Sequence, residues 1–328
     1  VVVKKAREET EKKTHGNFPA PLAAIAAMEV GLSSGMPAGL REEARLFGEM
    51  AATDVSKQLI FLFFATTALK KDSGLAEGHT AAALSVYKLG IIGSGFMGAG
   101  IAGVAIQQGT IVRMKDADWA HIGKGLSAVS KVVKERLTKR QITRVQYADT
   151  MSLVSGTIDY SGFANVDLVI EAVFEDLDVK QGVLRDVEAV VKPEAIFATN
   201  TSTLPVTRIA EVSRRPERVL CMHFFSPGNK MPLLEVIVTG RTSDSLTATA
   251  VAYGKKLGKT VIVVNDSPGF FVNRILAPYI SEAGRLMDEG ASIETIDKAL
   301  VDFGFPVGPI TLVDEVGLDI AGRVGQIM

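Results

Sequence analysis

The sequence has a single cysteine, Cys221, among 328 residues. One thiol cannot make an internal disulfide framework, and such a chain suits a reducing compartment without specifying which. Charge of one sign is also missing: 36 Lys and Arg against 37 Asp and Glu leave a formal net charge of -1. That balance provides no general basic field for nucleic acid, so any bound phosphate must be held by local groups. Long apolar runs are absent as well. The longest of interest, from Leu59 to Ala65, falls well short of the roughly 20 residues of a membrane span and reads as a buried helix. No internal repeat or low-complexity tract is found. The chain opens on Val1-Val2-Val3 with neither an initiator Met nor a signal or transit pattern, and this reads as a start inside a larger protein. At this length the composition fits about two domains, with a core that needs no staples.

From Val2 to Lys71 apolar residues recur at helical spacing, punctuated by Pro19, Pro21, Gly35, Pro37 and Gly39, which suggests four helices. Residues 72–86 turn small and polar and read as a linker. At Tyr87 the texture changes. Short Val- and Ile-rich runs alternate with amphipathic segments: Lys88 to Gly93, Thr110 to Lys115, Val166 to Glu171, Ala195 to Thr199, Arg218 to His223, Leu233 to Val238 and Thr260 to Val264. Strands alternating with helices indicate βαβ units and a mainly parallel α/β sheet covered on both faces. After Ser267 the strand pattern stops and three helical segments follow, with Ser267 and Pro268 as the expected cap and first helical residue. The expected domains are therefore a helical segment (1–71), a linker (72–86), a nucleotide-binding domain (87–266) and a partial all-α C-terminal domain (267–328).

Leu89 to Gly98 places a strand, a glycine turn and a helix start in the order of a Rossmann-type, doubly wound fold. Gly93 permits the turn, Gly95 lets the backbone approach a pyrophosphate, and Gly98 lets helix and strand pack closely. The competing reading is a glycine turn that only shortens a loop. Against it, Asp116 ends the next strand, where a carboxylate accepts hydrogen bonds from the adenosine ribose and repels a 2′-phosphate. NAD is therefore expected over NADP, although Arg113 and Lys115 lie close by. Glu175 and Lys180 follow the apolar strand ending at Ile170, on the sheet edge where such folds bind ligands. Their alternatives are a helix-start acid and a solvated lysine.

His223 closes one strand, and Glu235 lies inside the otherwise apolar run Pro232 to Val238. A carboxylate there is costly unless paired, and His223 is the partner expected. An imidazole oriented by a carboxylate suits a general base that takes a proton from an alcohol while its carbon loses a hydride. The bland alternative is a loop histidine and an edge-strand glutamate that never meet. Ser202, after a buried-type strand, reads as a hydrogen-bond donor to the reacting oxygen or as an ordinary turn residue. Asn273 reads as orienting substrate or as capping the domain junction.

These segments together resemble the L-3-hydroxyacyl-CoA dehydrogenases of fatty-acid β-oxidation: Gly93-Ser94-Gly95-Phe96-Met97-Gly98 with Asp116, Glu171-Ala172-Val173, Asn200-Thr201-Ser202, His223 to Pro227, Pro232 to Val236 and Pro268 to Arg274. The resemblance implies NAD as cofactor, His223 as base with Glu235 as its partner, and Ser202 and Asn273 at the substrate. It also implies Met97, Asp116, Val173, Phe174, Glu175, Lys180 and Ser202 at or near NAD. Ser226 departs from members that carry Asn there, which alters the expected nicotinamide contact. Residues 1–86 resemble the last helices of the enoyl-CoA hydratase domain, and the linker helix, of the multifunctional β-oxidation α-subunit. The family's two hydratase glutamates would precede Val1, so hydration of enoyl-CoA is not expected.

The reaction expected is (S)-3-hydroxyacyl-CoA plus NAD to 3-ketoacyl-CoA plus NADH. The alternative from another class is an NAD-binding or structural module made incompetent by truncation, and a dehydrogenase of small hydroxy acids is less favoured. Lys131, Lys134, Lys139 and Arg140 are candidates for CoA phosphates or a solvated helix face. Expected partners are the acyl-CoA, a 3-ketoacyl-CoA thiolase subunit and further copies of the chain, with no nucleic acid. The expected location is the cytoplasm in a bacterium, otherwise mitochondrion or peroxisome.

Overall fold

A computed structural model describes residues 1–318 and Gly322. Four helices come first: α1 (Val2–Thr14), α2 (Pro19–Ser34), α3 (Met36–Ala52) and α4 (Asp54–Lys71). Proline stands in the first turn of α2 and of α3, where its missing N–H is no loss. Between them Gly35 adopts φ 86°, a left-handed conformation that breaks the helix. α2 and α3 then pack glycine on glycine, since a Cβ on Gly39 would lie 2.7 Å from Gly31 Cα. Residues Val1–Ala68 form one compact unit with Leu276–Gly322. Within it, the Asn17 amide donates to the Asp302 carbonyl at 3.1 Å and His15 Nδ1 lies 3.4 Å from the Asp302 carboxylate. The run from Leu59 to Phe64 is helical as expected but not buried: its side chains are 47–65% exposed. α4 is apolar around most of its circumference, and no described element of this unit covers it.

A second unit spans Leu69–Ile275. Its elements are β1 (Lys88–Ile92), α5 (Phe96–Gln107), β2 (Ile111–Lys115), α6 (Trp119–Thr138), α7 (Arg144–Met151), β3 (Val154–Thr157), β4 (Leu168–Glu171), α8 (Leu177–Val190), β5 (Ile196–Thr199), α9 (Val206–Ala210), β6 (Val219–Phe224), β7 (Leu233–Val238), α10 (Asp244–Lys256) and β8 (Thr260–Asn265). The strands form one sheet in the order β3-β2-β1-β4-β5-β6-β7-β8. All neighbouring pairs are parallel except β6 and β7, so β7 and β8 run against the other six. Alternate strand residues feed two cores. Leu89, Ile91, Leu168, Ile170 and Leu220 join the one built with α5, α6 and α10, and Val169, Phe197 and Cys221 join the one built with α8 and α9.

β3 is a strand that the sequence pattern does not announce. Its Val154-Ser155-Gly156-Thr157 is short, largely polar and on the sheet edge, and pairing with β2 brings it into the sheet. Gly156 is needed there because a Cβ would sit 2.3 Å from Ile122 of α6. The end of the sheet also differs from expectation. Ser267 and Pro268 do not begin a helix: Gly269 (φ 70°) and Phe270 (φ 52°) are left-handed, and α11 (Val272–Asp288) starts only after them. α12 (Ile293–Phe303) and α13 (Pro309–Val316) follow.

β2 lies on one side of β1 and β4 on the other. Where strand order diverges in this way, the loops at the carboxyl ends leave a crevice, the usual ligand seat of a doubly wound sheet. Gly93, Glu171, Thr199 and His223 all belong to that edge.

Candidate active site

The glycine turn is shaped by contacts that admit no side chain. Gly93 has φ 93°, and a Cβ on it would lie 2.5 Å from the Ala172 carbonyl of the neighbouring strand end. A Cβ on Gly98 would fall 1.9 Å from the Gly93 carbonyl. Gly95, at the N-cap of α5, has open space where a Cβ would point. A tight turn, an open side and the free amides of a helix start together suit a pyrophosphate.

Asp116 follows β2 and faces this turn. One carboxylate oxygen accepts from the Ser94 amide at 2.7 Å and the Ser94 hydroxyl at 2.6 Å, and the other accepts from the Ala117 amide at 2.7 Å. Burial opposes its ionisation, but these donors win and hold the carboxyl below its usual range. The nearby bases are otherwise engaged: Arg113 donates to the Ser161 carbonyl at 2.9 Å, and the Lys115 ammonium stands 4.8 Å from the Tyr160 ring centre. The residues fit NAD. We expect Asp116→Ser to raise the KM for NADH about tenfold and to narrow the preference over NADPH, since a charge-assisted hydrogen bond is lost and a repulsion removed. Paired titrations with the two cofactors check this, and an unchanged preference would refute it.

Beyond β4 the segment holding Val173, Phe174 and Glu175 is fixed by a buried charge cluster. Glu171, fully buried, accepts from the Lys180 ammonium at 2.8 Å, the Val173 amide at 2.7 Å and the Thr199 hydroxyl at 2.7 Å. Lys180 is thus no solvated lysine; it is 1% exposed, and its ammonium also lies 3.4 Å from Glu175. Burial works against its charge, and the two carboxylates more than offset this, raising its pKa. Glu175 accepts from the Thr201 hydroxyl at 2.5 Å and from the Ser202 and Thr203 amides at 2.9 and 3.1 Å. Burial opposes its ionisation too, but Lys180 and these donors prevail and lower its pKa. Val173 is half-buried and Phe174 projects from the surface, as does Ser226 just past β6. Glu171 was legible by an argument already applied to Glu235, a carboxylate at the end of an apolar strand.

The antiparallel register sets His223 directly opposite Glu235. His223 Nδ1 is 2.7 Å from Glu235 Oε2, while Glu235 Oε1 accepts from the Phe271 and Val272 amides at 3.2 and 3.0 Å. Both side chains are buried. The imidazole lies against Phe225 and Phe270, with ring centres 4.4 and 5.8 Å away. The left-handed turn at Phe270 therefore has two effects: it sends a ring to the histidine and aims the first amides of α11 at the glutamate. One turn on, the Asn273 side-chain amide donates to the Ser202 carbonyl at 2.8 Å, bringing these two candidates together. The Ser202 hydroxyl donates to Glu175 at 3.3 Å. Asn200, given no role by the sequence, accepts from the Phe224 amide at 2.9 Å and so ties the end of β5 to the end of β6. Lys131, Lys134, Lys139 and Arg140 are all exposed.

The chain is similar to known proteins along its whole length. Residues 88–267 match the family model for the 3-hydroxyacyl-CoA dehydrogenase NAD binding domain, and residues 269–328 match the one for the C-terminal domain of the same family. The fatty acid oxidation complex subunit alpha of Idiomarina loihiensis is 49% identical over all of this chain, which covers 46% of that protein. The protein of the same name from Vibrio campbellii is 46% identical, with the same coverage of 100% and 46%. The chain thus spans about half the length of these curated relatives. Among solved structures, the (S)-3-hydroxybutyryl-CoA dehydrogenase of Ralstonia eutropha superposes with a TM-score of 0.70 at 38% identity, over 74% of this chain and 87% of that one. By these matches, which cover residues 88–267 and 269–328, the chain belongs to the 3-hydroxyacyl-CoA dehydrogenase family.

Proposed function

We propose that the chain oxidises (S)-3-hydroxyacyl-CoA to 3-ketoacyl-CoA in fatty-acid β-oxidation, with His223 as the base. The observation that carries this reading is the buried pair of His223 and Glu235, 2.7 Å apart at the ligand-binding edge of the sheet. Because Nδ1 is engaged by Glu235, Nε2 is the nitrogen left to take the hydroxyl proton. Glu235 holds the ring in that orientation and balances the imidazolium that forms. Ser202 and Asn273 bind the substrate oxygen and orient it, with Asn273 already braced on the Ser202 backbone. Phe225 and Phe270 shield the imidazole from water. NAD, when bound, supplies the acceptor for the hydride from C3. Gly93, Gly95, Met97, Gly98 and Asp116 seat its adenosine and pyrophosphate half, and Val173, Phe174, Glu175, Lys180, Ser202 and Ser226 border its nicotinamide half.

The names of the relatives support a wider setting. The chain is the dehydrogenase section of a multifunctional α-subunit, with residues 1–71 the end of a hydratase domain. As part of the same proposal, its partner is a 3-ketoacyl-CoA thiolase subunit, which consumes the product, and its setting is the cytoplasm if the source is a bacterium. The central claim is tested by mixing the chain with NADH and acetoacetyl-CoA and following NADH absorbance. Oxidation of NADH that depends on the acyl-CoA is expected. Binding of NADH without turnover would leave a cofactor-binding module instead.

A further inference from the structure

Residues 225–232 connect β6 to β7, running from beside His223 to the strand of Glu235, and the middle of this connection rests on the cofactor helix. A Cβ on Gly100 of α5 would lie 3.5 Å from Gly228 Cα and from the Asn229 amide nitrogen. From the other side the connection is held by Lys259, which stands between α10 and β8. Its ammonium donates to the Gly228 and Met231 carbonyls, both at 2.7 Å, and the residue is only 9% exposed. Burial holds this ammonium below the usual lysine range, and no carboxylate among the described residues pairs with it. A cation taken out of water without a counter-charge is unfavourable, so the two carbonyls must offset its desolvation. They bracket the part of the loop seated on α5, and Ser226 lies two residues before the first of them.

We propose that Lys259 is a positioning residue for the cofactor, pinning the loop through the Gly228 and Met231 carbonyls so that Ser226 stays at the nicotinamide side of α5. The inference rests on the dehydrogenase reading for the identity of the cofactor. In the full chain, Lys259→Met weakens NADH binding about tenfold in a fluorescence titration and raises its KM in parallel, with kcat falling less than about threefold. In the cofactor-free protein, the amides of Lys230 and Met231, which donate to the Pro227 carbonyl at 2.9 and 3.0 Å, exchange hydrogen faster. Lys259→Arg, which keeps the charge and the donors, restores NADH affinity to within about threefold. A Met variant with a lower melting temperature but parental NADH affinity and parental exchange at Lys230 and Met231 overturns the proposal. If that variant does not fold, Lys259→Gln, which removes the charge and shortens the side chain, is read by the same two measurements. Failure of the dehydrogenase reading shows separately, as a parent chain that binds NADH and reduces no acyl-CoA.

Discussion

Glu235→Gln should lower kcat for (S)-3-hydroxyacyl-CoA oxidation by on the order of 10³-fold while leaving NADH affinity within about threefold of the parent. The reason lies in the two sides of the carboxylate. Oε1 faces two backbone donors, the amides of Phe271 and Val272, and Oε2 faces one ring nitrogen, Nδ1 of His223. A glutamine has one acceptor side and one donor side. Placing its NH2 group toward the two amides sets donor against donor, so its oxygen turns there and its NH2 turns to the histidine. Nδ1 must then accept, the ring proton moves to Nε2, and the atom proposed to take the alcohol proton is already occupied. The shape of the site barely changes, so the loss falls on turnover. Steady-state kinetics together with an NADH titration checks both halves, and a variant with parental kcat would remove the dyad from the mechanism.

Gly98→Ala should be the most damaging single methyl in the cofactor domain. The added carbon falls 1.9 Å from the Gly93 carbonyl oxygen and 3.2 Å from Ile91 Cγ2, so β1 and α5 must separate. Backbone cannot yield as a flexible side chain does, and a cost of about 3 kcal/mol or more is expected, with NADH binding lost as the turn opens. Gly95→Ala provides the contrast. Nothing lies within 4 Å of its added carbon. That variant should melt with the parent yet bind NADH about tenfold or more weakly, because the methyl takes the room proposed for the pyrophosphate. Calorimetric melting and NADH titration of the pair separate packing from ligand space. Equal melting temperatures for Gly98→Ala and the parent would show that the turn is not the close-packed element described.

Much of this was legible in the sequence because period and composition carry it. The alternation of apolar strands with helices foretold the doubly wound sheet, and seven of its strands stand within a residue or two of where Val- and Ile-rich runs fall. β3 was not legible, because an edge strand of Val154-Ser155-Gly156-Thr157 has no apolar face to show and is defined by its partner β2. α11 starts later than the sequence pattern suggests, for a related reason. Pro268 is a good first helical residue locally, but the site requires a left-handed Phe270 and two amides aimed at Glu235. The burial expected for Leu59 to Phe64 is not found, because composition records that a helix is apolar and not what lies beside it. Within the site, an unpaired carboxylate in an apolar strand was a sound signal for Glu235 and marks Glu171 equally well. Lys259 had no such signal. A lysine after a glycine at a strand start is ordinary until the two carbonyls it meets are known.

The pairing of β6 with β7 has one further consequence. His223 and Glu235 face each other as rungs of a hydrogen-bonded ladder, so their alignment is fixed by strand register and not by the course of the chain that joins them. A slip of one residue would turn Glu235 to the other side of the sheet, whereas a longer or shorter connection leaves the rungs in place. On the proposed reading, proton transfer and cofactor contact can therefore diverge independently. Descendants of this fold could rebuild residues 225–232 and inherit the histidine–glutamate pair unaltered.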